Sequence, residues 1–266
     1  MLTPEQITEA ATRLYDAEKS RVQIPALTLS WDMDMDDAYA VQKQWVDRKV
    51  SEGAEVIGYK IGLTSRAMQM AVNIDQPDYG VLLDDMVFPN GGSISARDFT
   101  DPRIEVEFAF MLKKRLFGAN VSLEEVLDAT DYVSPALELI AARSYRTDPE
   151  SGYTRKVYDT IADNAANAGI ILGDRRVKPE EVDLPWCGAL LYLNNDVEET
   201  GLAAGVLGHP GHGISWICRR FAPHGIALEP GQVLLSGSFT RPVPVTPGDR
   251  IRADYGQLGE ITVDFD

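Results

Sequence analysis

The pattern of the chain changes near Gly53, and this change limits the folds that the sequence can adopt. Before it, the spacing of apolar residues predicts two helices, one from Pro4 to about Ala17 and one from about Asp36 to Ser51. After it, short runs with strand character alternate with turns rich in Gly, Pro, Asn and Asp. Because strands and helices do not alternate regularly, we predict an α+β fold rather than a doubly wound parallel sheet.

Local sequence patterns place the helix boundaries. Thr3-Pro4-Glu5-Gln6 and Ser122-Leu-Glu-Glu125 are typical of capping boxes at helix starts. A further helix is predicted over 157–168, closed by Gly169. We expect one catalytic domain over 1–266, with an N-terminal helical part (1–52) and a β-rich core (53–266) that carries the metal site.

Charge and composition exclude several classes of partner. The chain has 41 acidic and 25 basic residues, a net charge of −16, which disfavours binding to nucleic acids or to anionic membranes. Apolar runs are too short to span a bilayer, and the polar, acidic start predicts no signal peptide. Cys187 and Cys218 lack a metal-binding or redox spacing, which is typical of reduced thiols in the cytoplasm.

The segment Arg103-Ile-Glu-Val-Glu-Phe-Ala-Phe110 predicts a strand with an acidic face. Side chains alternate across a strand, so Arg103, Glu105 and Glu107 lie on one face and apolar residues on the other. Two carboxylates on one face could converge on a hard cation. The alternative is an ordinary amphipathic strand with a solvated face.

Glu138 is the third acid, and it stands in the middle of the apolar run 134–140. An acid in a buried strand is normally paired or coordinated, and a salt bridge to Arg143 is the simplest alternative. Three carboxylates suit Mg²⁺, with Mn²⁺ also possible, better than Zn²⁺, since no thiolate belongs to the set.

Three other segments offer polar groups for chemistry. Lys60 lies between Gly58 and Gly62, where small residues allow a ligand to approach closely, although an exposed lysine is the simpler interpretation. Asp78, in Pro77-Asp-Tyr-Gly80, could equally be a turn residue. The segment 236–242 combines hydroxyl groups with Arg241, and its simpler interpretation is a hairpin or loop.

Together these motifs resemble the hydratase/decarboxylase branch of the fumarylacetoacetate hydrolase superfamily. The resemblance covers nearly the whole chain, through KIGLTS (60–65), PDYG (77–80), LLDDM (82–86), PRIEVE (102–107), PALELI (135–140), DNAANAG (163–169) and GSFTRPVP (237–244). It implies a mixed β-roll or barrel-like core with an N-terminal helical cap, one divalent metal ion per subunit, and homo-oligomers such as pentamers or decamers.

The resemblance also implies roles for individual residues. The expected metal ligands are Glu105, Glu107 and Glu138, and the expected catalytic residues are Lys60 and Asp78. The expected substrate-binding residues are Leu63, Ser65, Arg103, Ser238, Thr240 and Arg241. A second carboxylate on the substrate would need a cation, for which Arg241 is preferred over Arg103 and then Arg66.

The implied activity is addition of water to 2-oxohept-4-ene-1,7-dioate, a small 2-oxo-enoic diacid, giving 4-hydroxy-2-oxoheptanedioate in the meta-cleavage catabolism of homoprotocatechuate. Three alternatives stay open. They are a decarboxylase for 2-oxo-3-enedioates, a hydratase for 2-hydroxypentadienoate, and a non-catalytic scaffold that holds a structural metal.

Overall fold

A computed structural model describes residues 1–71 and 74–266, and it shows helices first and strands later along the chain. The α-helices of the described part are α1 (Pro4–Ser20), α2 (Met35–Ser51), α3 (Arg66–Ala71), α4 (Leu123–Ala129), α5 (Val157–Ala162) and α6 (Gly211–Phe221). The strands are β1 (Val56–Gly62), β2 (Asp78–Leu83), β3 (Val87–Phe88), β4 (Gly92–Ile94), β5 (Arg103–Leu112), β6 (Thr130–Ile140), β7 (Asn167–Leu172), β8 (Gly188–Leu193), β9 (Asp196–Leu202), β10 (Val233–Leu235), β11 (Val243–Pro244), β12 (Arg250–Asp254) and β13 (Glu260–Phe265).

The strands form two mixed sheets. The larger has the order β2-β1-β10-β5-β6-β7-β3, with β11 paired to the start of β5. Strand β1 runs parallel to β10, whereas β5, β6 and β7 pair antiparallel. The smaller sheet has the order β4-β13-β12-β8-β9. This mixed β core with N-terminal helices confirms the predicted α+β class.

The helix boundaries follow the predicted capping boxes. The Thr3 hydroxyl accepts a hydrogen bond from the Gln6 N–H at 3.3 Å, and the Gln6 side chain accepts one from the Thr3 N–H at 2.8 Å. Helix α4 begins with the predicted box at Ser122 and Glu125. Helix α2 begins at Met35, one residue earlier than predicted, with Asp34 as its N-cap.

The N-terminal helices hold the edge of the larger sheet. Trp45 of α2 is buried in an apolar cluster that includes Val81 of β2 and Ile161 of α5. The Gln42 side-chain amide donates hydrogen bonds to the carbonyls of Tyr79 at 2.9 Å and Ile161 at 3.0 Å. These contacts fix the strand that begins at Asp78.

Two elements differ from the sequence predictions. The helix expected over 157–168 ends at Ala162, and Asn164–Ala166 adopt left-handed backbone angles before β7. Side-chain hydrogen bonds compete with the helix here, because Asn164 bonds both backbone groups of Val81. Strand β9 was not predicted, since its mostly exposed residues show no apolar alternation.

The structure can be compared with the expectations about membrane-spanning segments and about the two cysteines. Among the described residues, no helix is both long enough and apolar enough to cross a bilayer. Cys187 and Cys218 are both free thiols. A location in the cytoplasm stays a prediction.

Candidate metal and active site

The structure brings the three glutamates together on two neighbouring strands. Glu105 of β5 lies directly opposite Glu138 of β6, and Glu107 follows two residues later on the same face of β5. One carboxylate oxygen from each of the three residues lies within 4.8 Å of the others. The antiparallel pairing of β5 with β6 therefore brings the three carboxylates together, which the alternation of side chains along one strand could not establish.

Lys60 and Asp78 reach the same place from β1 and β2. Lys60 Nζ lies 3.3 Å from Glu138 Oε1, and both residues are buried. Asp78 pairs with Gly62 across β1 and β2, and a Cβ atom at Gly62 would lie 2.2 Å from Asp78 Oδ1 and 3.1 Å from Lys60 Nζ. The absence of a side chain at Gly62 therefore lets these two polar groups share one space. The turn and exposed-lysine alternatives for Asp78 and Lys60 are wrong.

Burial and mutual repulsion perturb the titration of this cluster. Burial, followed by repulsion from Glu138, raises the pKa of Glu105 to about 8, and the same causes raise the pKa of Glu107. Burial also raises the pKa of Asp78, although Lys60 opposes the change. Burial alone would lower the pKa of Lys60, but the carboxylates, Glu138 first, outweigh it and raise the pKa. Lys60 is therefore charged at neutral pH.

The cluster fits a divalent cation. Four carboxyl groups, those of Glu105, Glu107, Glu138 and Asp78, surround a single ammonium group. Glu138 Oε2 and Asp78 Oδ1 are buried and have no hydrogen-bond partner within the described chain. Buried carboxylates without partners are costly unless a cation compensates them. All-oxygen donors match the preference of Mg²⁺ or Mn²⁺.

Two polar groups that we did not predict orient the glutamates. The Gly237 N–H donates to Glu107 Oε2 at 2.8 Å, and the Asn167 amide donates to Glu138 Oε1 at 2.8 Å. Gly237 has φ of 115°, and a Cβ atom there would lie 2.3 Å from the Thr64 hydroxyl oxygen. Both residues lie within motifs noted in the sequence, but only the fold reveals their contact with the glutamates.

A cavity of about 380 Å³ opens beside the cluster. Glu105 lies in its wall and connects the cavity to the buried acids. The other lining residues include the predicted Leu63, Ser65, Ser238, Thr240 and Arg241, and also the unpredicted Glu199 and Thr200 of β9. The two sequence segments 62–65 and 238–242 therefore both line the cavity.

The hydroxyl groups of Ser238 and Thr240 form hydrogen bonds that hold the loop 238–242 in place. The Ser238 hydroxyl donates to the Thr240 carbonyl at 2.8 Å and accepts from the Thr240 N–H at 3.2 Å. The Thr240 hydroxyl accepts from the Val106 N–H at 3.2 Å. These bonds tie the loop to β5 between the two glutamates of that strand, so both residues shape the cavity wall.

The three candidate arginines have different surroundings. Arg241 lines the cavity, where its guanidinium pairs with Glu199, and 80% of its side chain is exposed. Arg103 does not line the cavity and instead contacts Asp101 at 3.3 Å, contrary to our expectation. Arg66 begins α3 and is also outside the lining residues.

The predicted alternative for Glu138, a salt bridge to Arg143, is wrong. Arg143 pairs with Asp163 at 3.0 Å and with Glu18 at 3.5 Å. The cationic partner of Glu138 is Lys60.

Comparison with known proteins places this site in a family. Residues 60–265 match the family model for the fumarylacetoacetate hydrolase C-terminal domain. The chain belongs to the fumarylacetoacetate hydrolase family. The matched region begins at Lys60 and contains every residue of the cluster described above.

Individual relatives cover nearly the full length of the chain. A 2-oxo-hept-4-ene-1,7-dioate hydratase of Escherichia coli is 54% identical over 97% of both chains. A 2-keto-4-pentenoate hydratase of Paraburkholderia xenovorans is 36% identical over 100% of this chain and 97% of its own. The structure of 4-oxalocrotonate decarboxylase from Pseudomonas putida G7, complexed with magnesium and adipate, has a TM-score of 0.94 at 33% identity, covering 100% of this chain and 99% of that one.

Proposed function

We propose that this protein is a divalent-metal-dependent hydratase that converts 2-oxohept-4-ene-1,7-dioate to 4-hydroxy-2-oxoheptanedioate in the meta-cleavage catabolism of homoprotocatechuate. The observation that carries the proposal is the buried cluster of four carboxyl groups and one lysine beside a cavity that contains an arginine. The 54% identity to a hydratase of that name supports the choice of substrate.

Glu105, Glu107 and Glu138 would hold the metal ion. When bound, a Mg²⁺ or Mn²⁺ ion would supply Lewis acidity toward the 2-oxo acid end of the substrate. The ion and Lys60 together leave one net negative charge among the four carboxyl groups, which a proton on Asp78 would neutralise. The related decarboxylase was determined with magnesium and also with calcium, and we propose magnesium for this site.

Lys60 and Asp78 would move protons on the substrate. Conversion of the 2-hydroxy-2,4-dienoate form to the conjugated 2-oxo-3-enoate moves one proton from the C2 hydroxyl to C5. Water then adds across C3 and C4, with its oxygen bonding to C4 and a proton reaching C3. Asp78 Oδ1, buried and without a partner, is suited to carry these protons, because burial raises the pKa of this carboxyl. Lys60 Nζ, held charged beside Glu138, would orient the reacting groups.

The second carboxylate of the diacid would bind Arg241. This residue lines the cavity, and its present partner Glu199 leaves most of its side chain exposed. The substrate would therefore compete with Glu199 for the guanidinium. Leu63 and Ser65 would contact the chain of the substrate from the opposite segment.

One experiment tests the proposed activity against its alternatives. The Mg²⁺-loaded protein is mixed with 2-hydroxyhepta-2,4-dienedioate, the ultraviolet absorbance is followed, and the product is identified by mass. Gain of one water molecule supports the proposal. Loss of carbon dioxide would make the protein a decarboxylase, like its structural neighbour. Unchanged substrate with retained metal would favour a non-catalytic scaffold, and faster turnover of 2-hydroxypentadienoate would favour the shorter substrate of the other relative.

Three further features belong to this proposal. We propose a single catalytic domain, since α2 holds the strand that carries Asp78. We also propose a homo-oligomer, pentameric or decameric, and a cytoplasmic location. Size-exclusion chromatography with light scattering tests the oligomeric state, and cell fractionation tests the location.

A further inference from the structure

The two carboxylate oxygens of Glu138 have different surroundings. Oε1 accepts a hydrogen bond from Asn167 Nδ2 at 2.8 Å and lies 3.3 Å from Lys60 Nζ. Oε2 is buried and has no hydrogen-bond partner in the described part of the chain. The protein therefore satisfies one oxygen with two donors and leaves the other available to a ligand.

The side chain of Asn167 makes no hydrogen bond other than this one within residues 1–71 and 74–266. Its Oδ1 atom is also buried without a partner. A purely structural asparagine at a fully buried position would be expected to satisfy both ends of its amide, because a buried polar group without a hydrogen-bond partner is destabilising. Asn164, three residues earlier, shows that pattern, since its amide bonds both the N–H and the carbonyl of Val81.

The backbone before Asn167 is held in an unfavourable conformation. Asn164, Ala165 and Ala166 have φ angles of 51°, 50° and 58°, and left-handed backbone angles are unfavourable for residues other than glycine. Arg143 compensates by bridging this turn, since its guanidinium contacts Asp163 at its start and the Asn167 carbonyl at its end. The turn thus delivers Asn167 to the first position of β7, beside the strand that carries Glu138.

From these contacts we infer that Asn167 is a positioning residue, whose amide fixes the rotation of the Glu138 carboxylate so that Oε2 is presented to the metal ion. This inference rests on the proposed function, because it assumes that Glu138 is a metal ligand. Groups that orient a metal-binding side chain typically contribute 10- to 100-fold to metal affinity.

Mn²⁺ affinity tests this role without relying on activity. We expect Asn167→Ala to raise the dissociation constant for Mn²⁺ by about 10- to 100-fold, measured by titration calorimetry and by the electron paramagnetic resonance of free Mn²⁺. Asn167→Leu, which keeps the volume without the donor, is expected to show the same loss and covers the case in which the alanine variant does not fold.

Thr130→Val is the matched control, because Thr130 is equally buried at the start of the strand that carries Glu138, and its hydroxyl donates to the Val126 carbonyl rather than to a residue of the metal site. We expect it to lower the melting temperature while leaving the Mn²⁺ dissociation constant within about twofold of wild type. Equal loss of affinity in the Thr130 and Asn167 variants, or no loss in the Asn167 variants, would overturn the inference. Failure of the wild-type protein to bind Mn²⁺ would instead refute the metal site itself.

Discussion

Replacing Glu138 by Gln should nearly abolish the stabilisation of this protein by Mg²⁺ without weakening the metal-free fold. The substitution keeps the shape of a fully buried side chain and removes one negative charge from the proposed metal site. In the metal-free protein it also relieves the repulsion that raises the pKa values of Glu105 and Glu107. The relieved repulsion offsets the loss of the ion pair between Glu138 and Lys60, so we expect the metal-free variant at pH 8 to be about as stable as wild type.

The size of the effect follows from the charges. A unit charge at about 4 Å contributes roughly 4 kcal/mol per opposing unit charge at an effective dielectric constant of 20, and desolvation offsets much of it. We expect at least a 100-fold rise in the dissociation constant for Mg²⁺, or about 2.7 kcal/mol. For wild type at 100 times its dissociation constant, Mg²⁺ stabilises the fold by about 2.7 kcal/mol, or roughly 5–10 °C in melting temperature. The variant at the same concentration should gain only about 0.4 kcal/mol.

Thermal unfolding with and without Mg²⁺ at pH 6 and pH 8 measures how much Mg²⁺ stabilises the wild-type protein and the variant. Because the pKa of Glu105 is raised to about 8, its protonated form stabilises the metal-free fold at low pH, and that stabilisation disappears as the pH rises toward 8. Because Mg²⁺ binding must displace the same proton, the rise in melting temperature that Mg²⁺ causes in the wild-type protein should be larger at pH 8 than at pH 6. Glu9→Gln, at an exposed position of α1, is the control and should behave as wild type. Equal Mg²⁺ increments in wild type and Glu138→Gln would refute the assignment of Glu138 as a ligand.

Three other substitutions separate the remaining roles. Lys60→Met should lower kcat by about 10²- to 10⁴-fold while Mn²⁺ still binds in calorimetry, and near-normal turnover would remove Lys60 from the mechanism. Gly62→Ala places a Cβ atom 2.2 Å from Asp78 Oδ1 and should lower kcat strongly. Gly205→Ala, in the wall of the same cavity but with its nearest neighbour at 4.0 Å from the added Cβ, should lower kcat far less. Equal rates in the two variants would contradict a proton-carrying Asp78. Arg241→Gln should reduce kcat/KM for the diacid about 10-fold more than for a monoacid analogue. This is near the low end for a charged hydrogen bond, because Arg241 is exposed and also pairs with Glu199. Arg66→Gln should affect both substrates equally, and an equal loss on both substrates in Arg241→Gln would argue against a contact with the second carboxylate.

Strand alternation and helix capping made much of the fold predictable from local sequence. The face that carries Glu105 and Glu107 needed only the two-residue period of a strand, and the start of α1 needed only the box at Thr3 and Gln6. The acid in an apolar run, Glu138, could be singled out because burial of an unpaired charge is costly. What local sequence could not give was the pairing of β5 with β6, which places Glu138 opposite Glu105.

Two of the three missed features depend on contacts between distant parts of the chain. Asn167 appeared to belong to a helix because 157–168 has helical spacing, but the bonds from Asn164 to Val81, 83 residues away, end that helix early. The ion pair between Arg241 and Glu199 could not be predicted from the sequence, because the residues of β9 show no strand pattern. Arg103 shares the strand of the glutamates, yet Asp101 draws its guanidinium away from the cavity.

The site divides its tasks among elements of different rigidity. The three glutamates lie on β5 and β6, which pair along nearly their whole length in the interior of the larger sheet, so their separation is fixed by backbone hydrogen bonds. Asp78 lies on the edge strand β2, whose position depends on the N-terminal helices through Gln42 and the cluster around Trp45. Arg241 lies on a loop with an exposed side chain. A change in the N-terminal helices should therefore disturb proton transfer before it disturbs metal binding, and a change of the Arg241 side chain should alter substrate choice while leaving both intact.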